Sequence, residues 1–446
     1  MADEVFVWLD IFAINQDEGR AMKELDDGQT LARVIEASAA TLVVLDREAF
    51  ALTRLWCLYE IGSTPLHKLE LLTHGGSPAD GVAAARLVNA ETAICFSDAD
   101  FTMIRGHIEE QLGFGSLREF TKQVQLRLCL KPIGYEADLA MLRERCAGES
   151  AMLDALRNCL APDDAALGNR VALVVGGAGE GKSTIASLAV NELGAAALHL
   201  CKRADARRQD SLRVACSLIY QLASGAPGHA RQMVLDRLLA AGGEAALQDE
   251  AGALEVLLAA LDAAPGVLLL IDGLDEALSG TRNRVLELLL EVGKRAGSVR
   301  ALALMRPDET VERRLQLTFK GGCRAFAPAE LLPANDGQQR VLRLVAGKLH
   351  TRHGTRCTDG LRLDGAYAAW FAAEPPNTPT TQLLELLAAA YEPLTLAHLH
   401  ELGGASLVAA RLTLPGYGLL FFERDYNVHL LHASLGECLL ESGGVN

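Results

Sequence analysis

The amino-acid sequence predicts an α/β protein, and three observations carry that prediction. Short β-rich apolar runs alternate with helical periodicity over residues 1–128 and again over 169–307, the layout of parallel sheets with crossover helices. A glycine-rich turn, Gly176 to Thr184, stands between a strand pattern and a helix pattern. An entirely apolar run, Val267 to Ile271, ends in Asp272, as expected of a strand covered on both faces.

In chain order, Val5–Leu9 and Thr41–Leu45 read as strands, with helical periodicity between and after them. From Lys131 to about Gly168, Leu139, Leu142, Leu153, Leu156 and Leu160 recur at helix-like spacing, which predicts a helical connector. Further strands are expected at Val171–Val175, Ala197–Leu200, Val267–Ile271 and Val299–Met305, followed by a mainly helical stretch to about Ala373. Glu374-Pro-Pro-Asn-Thr-Pro379 reads as a linker. Beyond it the pattern is helical and then a two-stranded wing, Gly418–Phe422 and Val428–Leu431, turned through Asp425–Asn427. The divisions that follow are 1–128, 129–168, 169–310, 311–375 and 376–446.

Composition narrows the function. The chain has 446 residues, half of them hydrophobic, enough for several cores. A net charge of −15 and a pI near 5.3 predict no nucleic-acid partner, because neutralising phosphates takes clustered Lys and Arg. Ten scattered cysteines without a CxxC pair fit buried thiols in a reducing compartment. The start has no basic region followed by a long apolar stretch, and the most apolar region, Ala251–Ile271, is broken by Glu255, Asp262 and Pro265. The expectation is therefore no signal peptide, no membrane partner and a cytoplasmic location.

The turn GGAGEGKST carries the sharpest chemistry. Gly176, Gly177, Ala178, Gly179, Glu180, Gly181, Lys182, Ser183 and Thr184 fit G-x-x-x-x-G-K-[ST], behind the strand Val171–Val175 and ahead of the apolar helix Ile185–Val190. Glycines let successive backbone N–H groups turn inward around phosphates, and the helix N-terminus adds partial positive charge. Lys182 would reach the β- and γ-phosphates of a nucleoside triphosphate, and the Ser183 hydroxyl would ligate magnesium. The acidic half of the site is expected at Val267–Glu276. Asp272 is placed to hold a magnesium-bound water, while Asp275 and Glu276 follow at the strand's carboxyl end. Glu276 is the better candidate to orient or deprotonate the attacking water.

Asp272-Gly-Leu-Asp-Glu-Ala277 after a buried strand resembles the acidic motif of the NACHT NTPases, within the STAND class of signalling ATPases. His199 to Ala223, a strand, an Arg-containing turn and a helix with Ile-Tyr-Gln-Leu, resembles the nephrocystin-three-like branch of that family. Ala301–Pro307 is similar to the family's sensor strand, with Met305 where Ser is usual, which implies that Arg306 lies near the γ-phosphate. Leu430–Leu440 resembles the end of the family's winged helix, which implies that His432 touches the β-phosphate of a bound diphosphate. The resemblance implies ATP and ADP as ligands with Mg2+, slow hydrolysis and homo-oligomer formation on activation.

Val34–Leu45 followed by Leu52–Ile61, with its Trp-Cys-Leu-x-Glu, resembles the middle of a TIR domain: a helix, a buried strand and a helix. Val7–Gln16 is similar to the TIR-like heterokaryon-incompatibility domains. A TIR domain begins with a strand and helix that would precede Val5, so the resemblance implies a flavodoxin-type fragment that is incomplete at its N-terminus. In TIR domains that cleave NAD the glutamate of this motif is catalytic, and Glu60 occupies that position. The sequence thus predicts a nucleotide-switched ATPase governing a TIR-like end. The alternatives are a TIR-type NAD hydrolase acting through Glu60 and a nucleotide-binding scaffold that does not hydrolyse.

Overall fold

The computed structural model describes residues 28–73, 78–110, 112–145, 153–161, 170–177, 180–202, 205–225, 229–279, 282–296, 299–320, 322–331, 378–389, 394–395, 398–402, 421–424 and 427–430. The chain divides into two compact units, one of residues 1–136 with 231–252, the other of 137–230 with 253–446.

The first unit contains α1 (Gly28–Ala37), β1 (Thr41–Leu45), α2 (Leu55–Ser63), β2 (Leu69–Thr73), α3 (Pro78–Ala85), α4 (Asp98–Glu110) and α5 (Leu117–Leu130). β1 and β2 pair in parallel, Thr41 opposite Leu69 through Leu45 opposite Thr73. Leu55, Leu58, Tyr59 and Ile61 of α2 are buried, as are Phe120 and Val124 of α5, and the two helices pack together. Ser116 caps α5, its Oγ accepting the Glu119 N–H at 3.2 Å. The sequence placed a buried strand at Thr41–Leu45. The structure corrects that, because Leu42 and Val44 are 57% and 63% exposed. Alternate residues of a strand face opposite ways, and one face of β1 is open. Val5–Leu9 lies outside the described residues.

The second unit opens with the connector helices α6 (Glu136–Arg145) and α7 (Asp154–Leu160). There follow β3 (Arg170–Val175), α8 (Lys182–Glu192), β4 (Ala197–Leu200) and α9 (Ser211–Gly225). Helix α10 (His229–Leu239) belongs almost wholly to the first unit, and α11 (Glu250–Asp262) returns the chain to the second. Next come β5 (Leu268–Asp272), a short hairpin of β6 (Leu278–Ser279) and β7 (Arg282–Asn283), α12 (Arg284–Arg295), β8 (Arg300–Met305), α13 (Glu309–Thr318), β9 (Cys323–Phe326) and α14 (Pro328–Leu331). Five strands form one parallel sheet in the order β4-β5-β8-β3-β9. β5 is buried at every position because helices cover both faces of the sheet: α8 packs on β5 and β8, α9 on β4, and α7 on β3.

The expected end of this domain at 310 is too early. β9 pairs with β3, Val171 opposite Cys323 through Val174 opposite Phe326, so the sheet continues past that point. Only four residues long and at the sheet edge, β9 carried too little pattern to be read from sequence. Farther on, α15 (Thr378–Ala389) precedes an antiparallel sheet of β10 (Leu394–Thr395), β12 (Asn427–Leu430) and β11 (Phe421–Arg424). Thr378 and Pro379, read as linker, open α15; proline is compatible with a first helical turn, where its missing N–H has no intrahelical partner anyway. Asn427, read as turn, pairs with Arg424 and so belongs to the strand. Among the described residues no helix is long and apolar enough to cross a membrane.

Candidate functional site

β3 carries the glycine-rich turn to the carboxyl edge of the sheet, where ligands bind in open α/β folds. Its ladder with β8 continues one bond further, from Gly176 N–H to Met305 O at 3.1 Å. Gly181 takes φ +89°, a left-handed conformation that turns the chain sharply into α8. The Ile185 amide then bonds the Gly181 carbonyl at 2.9 Å, closing the first helical turn. Ala178 and Gly179 lie outside the described residues. The Lys182 ammonium folds back over the turn and donates to the carbonyls of Gly176 and Gly177, both at 2.7 Å. Burial lowers its pKa, while the carboxylates of Asp275 and Asp272 pull it back up. Glu180 lies over the same turn, its Oε2 accepting the Gly177 N–H at 2.9 Å. The turn therefore already holds one anionic oxygen on a backbone N–H, the kind of contact a phosphate makes.

Asp272 ends β5, is buried, and hydrogen-bonds the Ser183 side chain across from α8. Burial raises its pKa, against the Ser183 hydrogen bond and the nearby Lys182 charge. Gly273 takes φ +72°, and a Cβ there would stand 3.3 Å from the Cys201 carbonyl oxygen. Glycine thus lets the chain leave β5 closely alongside the end of β4. The turn Leu274–Ala277 follows, anchored by buried Leu274 and Ala277, which leaves Asp275 and Glu276 half-buried at the sheet edge. Asp275 is engaged by the end of β8: Oδ1 accepts the Arg306 N–H at 3.0 Å, and Oδ2 lies 3.4 Å from Arg306 Nε. Lys182, Ser183, Asp272, Asp275 and Arg306 are thus brought together, with Glu276 beside them; Thr184, half-buried, follows in α8. A hydroxyl beside a carboxylate suits a magnesium ion, and a lysine beside loop amides suits phosphate oxygens, so these residues fit a magnesium nucleotide.

Two other expected residues remain. Glu60 is half-buried on α2, in the first unit, with its backbone carbonyl accepting from Thr64 N–H at 3.0 Å and Thr64 Oγ1 at 2.8 Å. A groove of about 350 Å³ at the carboxyl ends of β1 and β2 is lined by Val44, Leu45, Asp46, Ala51, Leu72 and Thr73, not by Glu60. His432 lies outside the described residues.

Sequence reasoning passed over a polar cluster beneath the site. His199 on β4 is fully buried and bonds the Arg208 carbonyl through Nε2 at 2.9 Å. Burial drives its pKa down to about 4. The Arg208 side chain, also buried, donates to Asp138 of α6 at 2.6 Å and lies 3.3 Å from Asp205. Against burial, which raises it, Arg207 and Arg208 hold the Asp205 carboxyl below its usual range. Cys201, next to this cluster, donates its N–H to Asp272 O at 2.9 Å. Burial and the carboxylates of Asp272, Glu276 and Asp275 all push its thiol pKa well up, so it stays protonated. The charged run Lys202–Asp210 was the one available signal, but its partner Asp138 lies in a different element.

A parallel sheet that carries this turn and this acid-ended strand has a P-loop NTPase-like fold and the groups of a nucleotide-binding, ATPase-like protein. Residues 161–306, from the connector through Arg306, match the sequence family described as Nephrocystin 3, N-terminal. No curated protein matches the chain. Among solved structures the chain is similar to one of the Drosophila ORC bound to GC-rich DNA and Cdc6. The match has 11% identity, covers 69% of this chain and 95% of that one, and has a TM-score of 0.24. That structure is a DNA-bound assembly, and the expectation of no nucleic-acid partner no longer stands. Net charge averages over the whole chain and does not exclude a local contact. At that TM-score the likeness carries no argument about what this chain itself binds.

Proposed function

We propose that the chain is a nucleotide-switched signalling ATPase of the STAND/NACHT type, which binds ATP or ADP with magnesium. In this reading it hydrolyses ATP slowly and so controls self-association of a TIR-like N-terminal region. The observation that supports it most is the convergence at one sheet edge of Lys182, the Ser183–Asp272 hydrogen bond and the Asp275–Arg306 pair. Lys182 and the loop amides would hold the phosphates, and Ser183 with Asp272 would hold the magnesium ion. The metal, when bound, supplies charge neutralisation at the phosphates.

Glu276 would take the proton of the attacking water. Asp275 is the poorer base, since its two oxygens face the Arg306 amide and side chain. Arg306 would report the nucleotide to β8, and His432 would latch a winged helix over residues 376–446 onto the diphosphate. The five-part division, with TIR-like, connector, NTPase, helical and winged-helix parts and with β9 inside the NTPase part, belongs to the same proposal. The test is ATP binding by wild type and Lys182→Ala. A lysine bonded to charged oxygens contributes ~1.5–3 kcal/mol, so the variant should bind ATP ~10–100-fold more weakly while keeping its fold by circular dichroism. Equal affinities would sink the reading. Mass spectrometry of nucleotide co-purified with the wild type identifies the base.

A further inference from the structure

Helices α9 and α11 belong to the NTPase unit, yet the segment between them, Arg231–Gly252, folds with the N-terminal unit. That segment lies inside the stretch that matches one family, Nephrocystin 3, N-terminal, over residues 161–306. Its attachment is built at both ends of α10. At the amino end, Arg231 Nη1 donates to Glu119 Oε2 of α5 at 2.6 Å. Glu119 is also bonded by Lys122 at 2.9 Å, and that hydrogen bond, with the two nearby cations, holds its carboxyl below the usual range. At the carboxyl end, Arg86, just after α3, makes three contacts. Its Nη2 donates to Ala240 O at 2.6 Å and Glu244 Oε2 at 2.7 Å, and its Nε donates to Leu239 O at 3.1 Å. A cation here satisfies the carbonyls that a helix end leaves without intrahelical partners and complements the helix dipole. Val234, Leu235, Leu238 and Leu247 are buried, and the turn Gly243–Leu247 packs against α3. Exposed ion pairs contribute little one by one. The buried leucines and the three-donor clamp make this segment an integral part of the N-terminal unit.

The other end of the path reaches the nucleotide site. α9, immediately before the segment, packs on β4. β4 pairs with β5, Leu200 opposite Asp272, and Cys201 bonds the Asp272 carbonyl. The carboxyl end of β5 and α9 are therefore joined through packed, hydrogen-bonded elements.

We infer that Arg231–Gly252, built into the N-terminal unit and joined in the chain to α9 and α11, is the segment through which nucleotide occupancy reaches that unit. The inference rests on the nucleotide-site reading above. It is tested on the full chain by hydrogen exchange with and without a non-hydrolysable ATP analogue and magnesium. In the wild type, nucleotide should change exchange in α3 and α5 by ~5–150-fold, the usual span of coupling between sites. In R231E that response should collapse while analogue affinity stays within about twofold, since coupling between sites is separable from affinity at either. The charge-swapped pair R231E/E119R should restore it. R86A, which removes the second clamp, is the independent check should R231E fold poorly. A wild type that binds the analogue with no change in α3 or α5 overturns this inference alone, as do single variants that keep the full response. A wild type that binds no nucleotide overturns the site reading and the inference with it.

Discussion

Lys182 and Glu180 reach for the same short stretch of backbone, the lysine for two carbonyls and the glutamate for an amide. These are the groups a phosphate would reorganise, so single substitutions in the turn should change nucleotide binding. At the acidic edge, Glu276→Gln keeps shape and hydrogen bonding but removes the carboxylate. It should preserve ATP binding and slow turnover by ~10²–10⁴, the loss of one general base. Phosphate release over hours measures it, and a larger defect in Asp275→Asn would reverse the two roles. His199 gives a pH prediction. Its folded value, about 4, lies below the unfolded value of about 6.5. As pH falls from about 6.5 to 4 the unfolded chain takes up a proton that the folded chain refuses, so stability is lost across that window, by up to about 3 kcal/mol. His199→Gln, which can still donate to the Arg208 carbonyl, should flatten this loss. Denaturation followed at pH 7 and pH 4.5 in both proteins tests it, and a parallel loss in the variant would point to other groups.

At the scale of elements, the site is made by strand order. β3 and β5 are not neighbours; β8 lies between them, and it is Arg306 at the end of β8 that meets Asp275. The connector helix α6 is fastened to the same sheet edge by Asp138, through Arg208, to the turn after β4. Asp138→Asn would leave the buried Arg208 guanidinium with Asp205 as its remaining carboxylate. Breaking a fully buried pair costs ~3–5 kcal/mol. Asp138 is partly exposed and Asp205 stays in place, so about 1–3 kcal/mol is expected. Thermal melting of wild type and variant reads the difference, and an unchanged melting temperature would mean that the pair holds nothing in place. The strands around the site were legible in sequence because runs such as Val171–Val175 and Val267–Ile271 are apolar throughout. The edge strand β9 and the Asp138–Arg208 pair were not, since neither short length nor long-range pairing leaves a local periodicity.

At the scale of the whole molecule, a nucleotide switch needs differential binding. Moving a two-state equilibrium from one to ninety-nine per cent takes about 5.5 kcal/mol. Ligand that binds the folded chain alone should also stabilise it, by about 2.7 kcal/mol at a hundredfold excess over Kd. Magnesium ATP should therefore raise the melting temperature of the wild type and leave that of Lys182→Ala nearly unmoved. An equal shift in both would place the binding elsewhere. Arg231–Gly252, inside the stretch that matches the Nephrocystin 3, N-terminal family, is built into the N-terminal unit.

The α/β class, the glycine-rich turn with its strand and helix, and the acid-ended strand follow from the order of residues alone. These are local patterns in which periodicity, glycine placement and residue chemistry lie within a few neighbouring positions. The sequence also supplied resemblances at Glu60, which lies in the first unit, and at His432, which lies outside the described residues. Folding in three dimensions set which acid meets Arg306, that β1 has an open face among the described residues, that β9 joins the sheet, and that Arg231–Gly252 folds with the N-terminal unit. Those outcomes depend on contacts between residues distant in sequence, such as Arg86 with Glu244 and Arg208 with Asp138, and burial and charge pairing settle them only once the chain has folded.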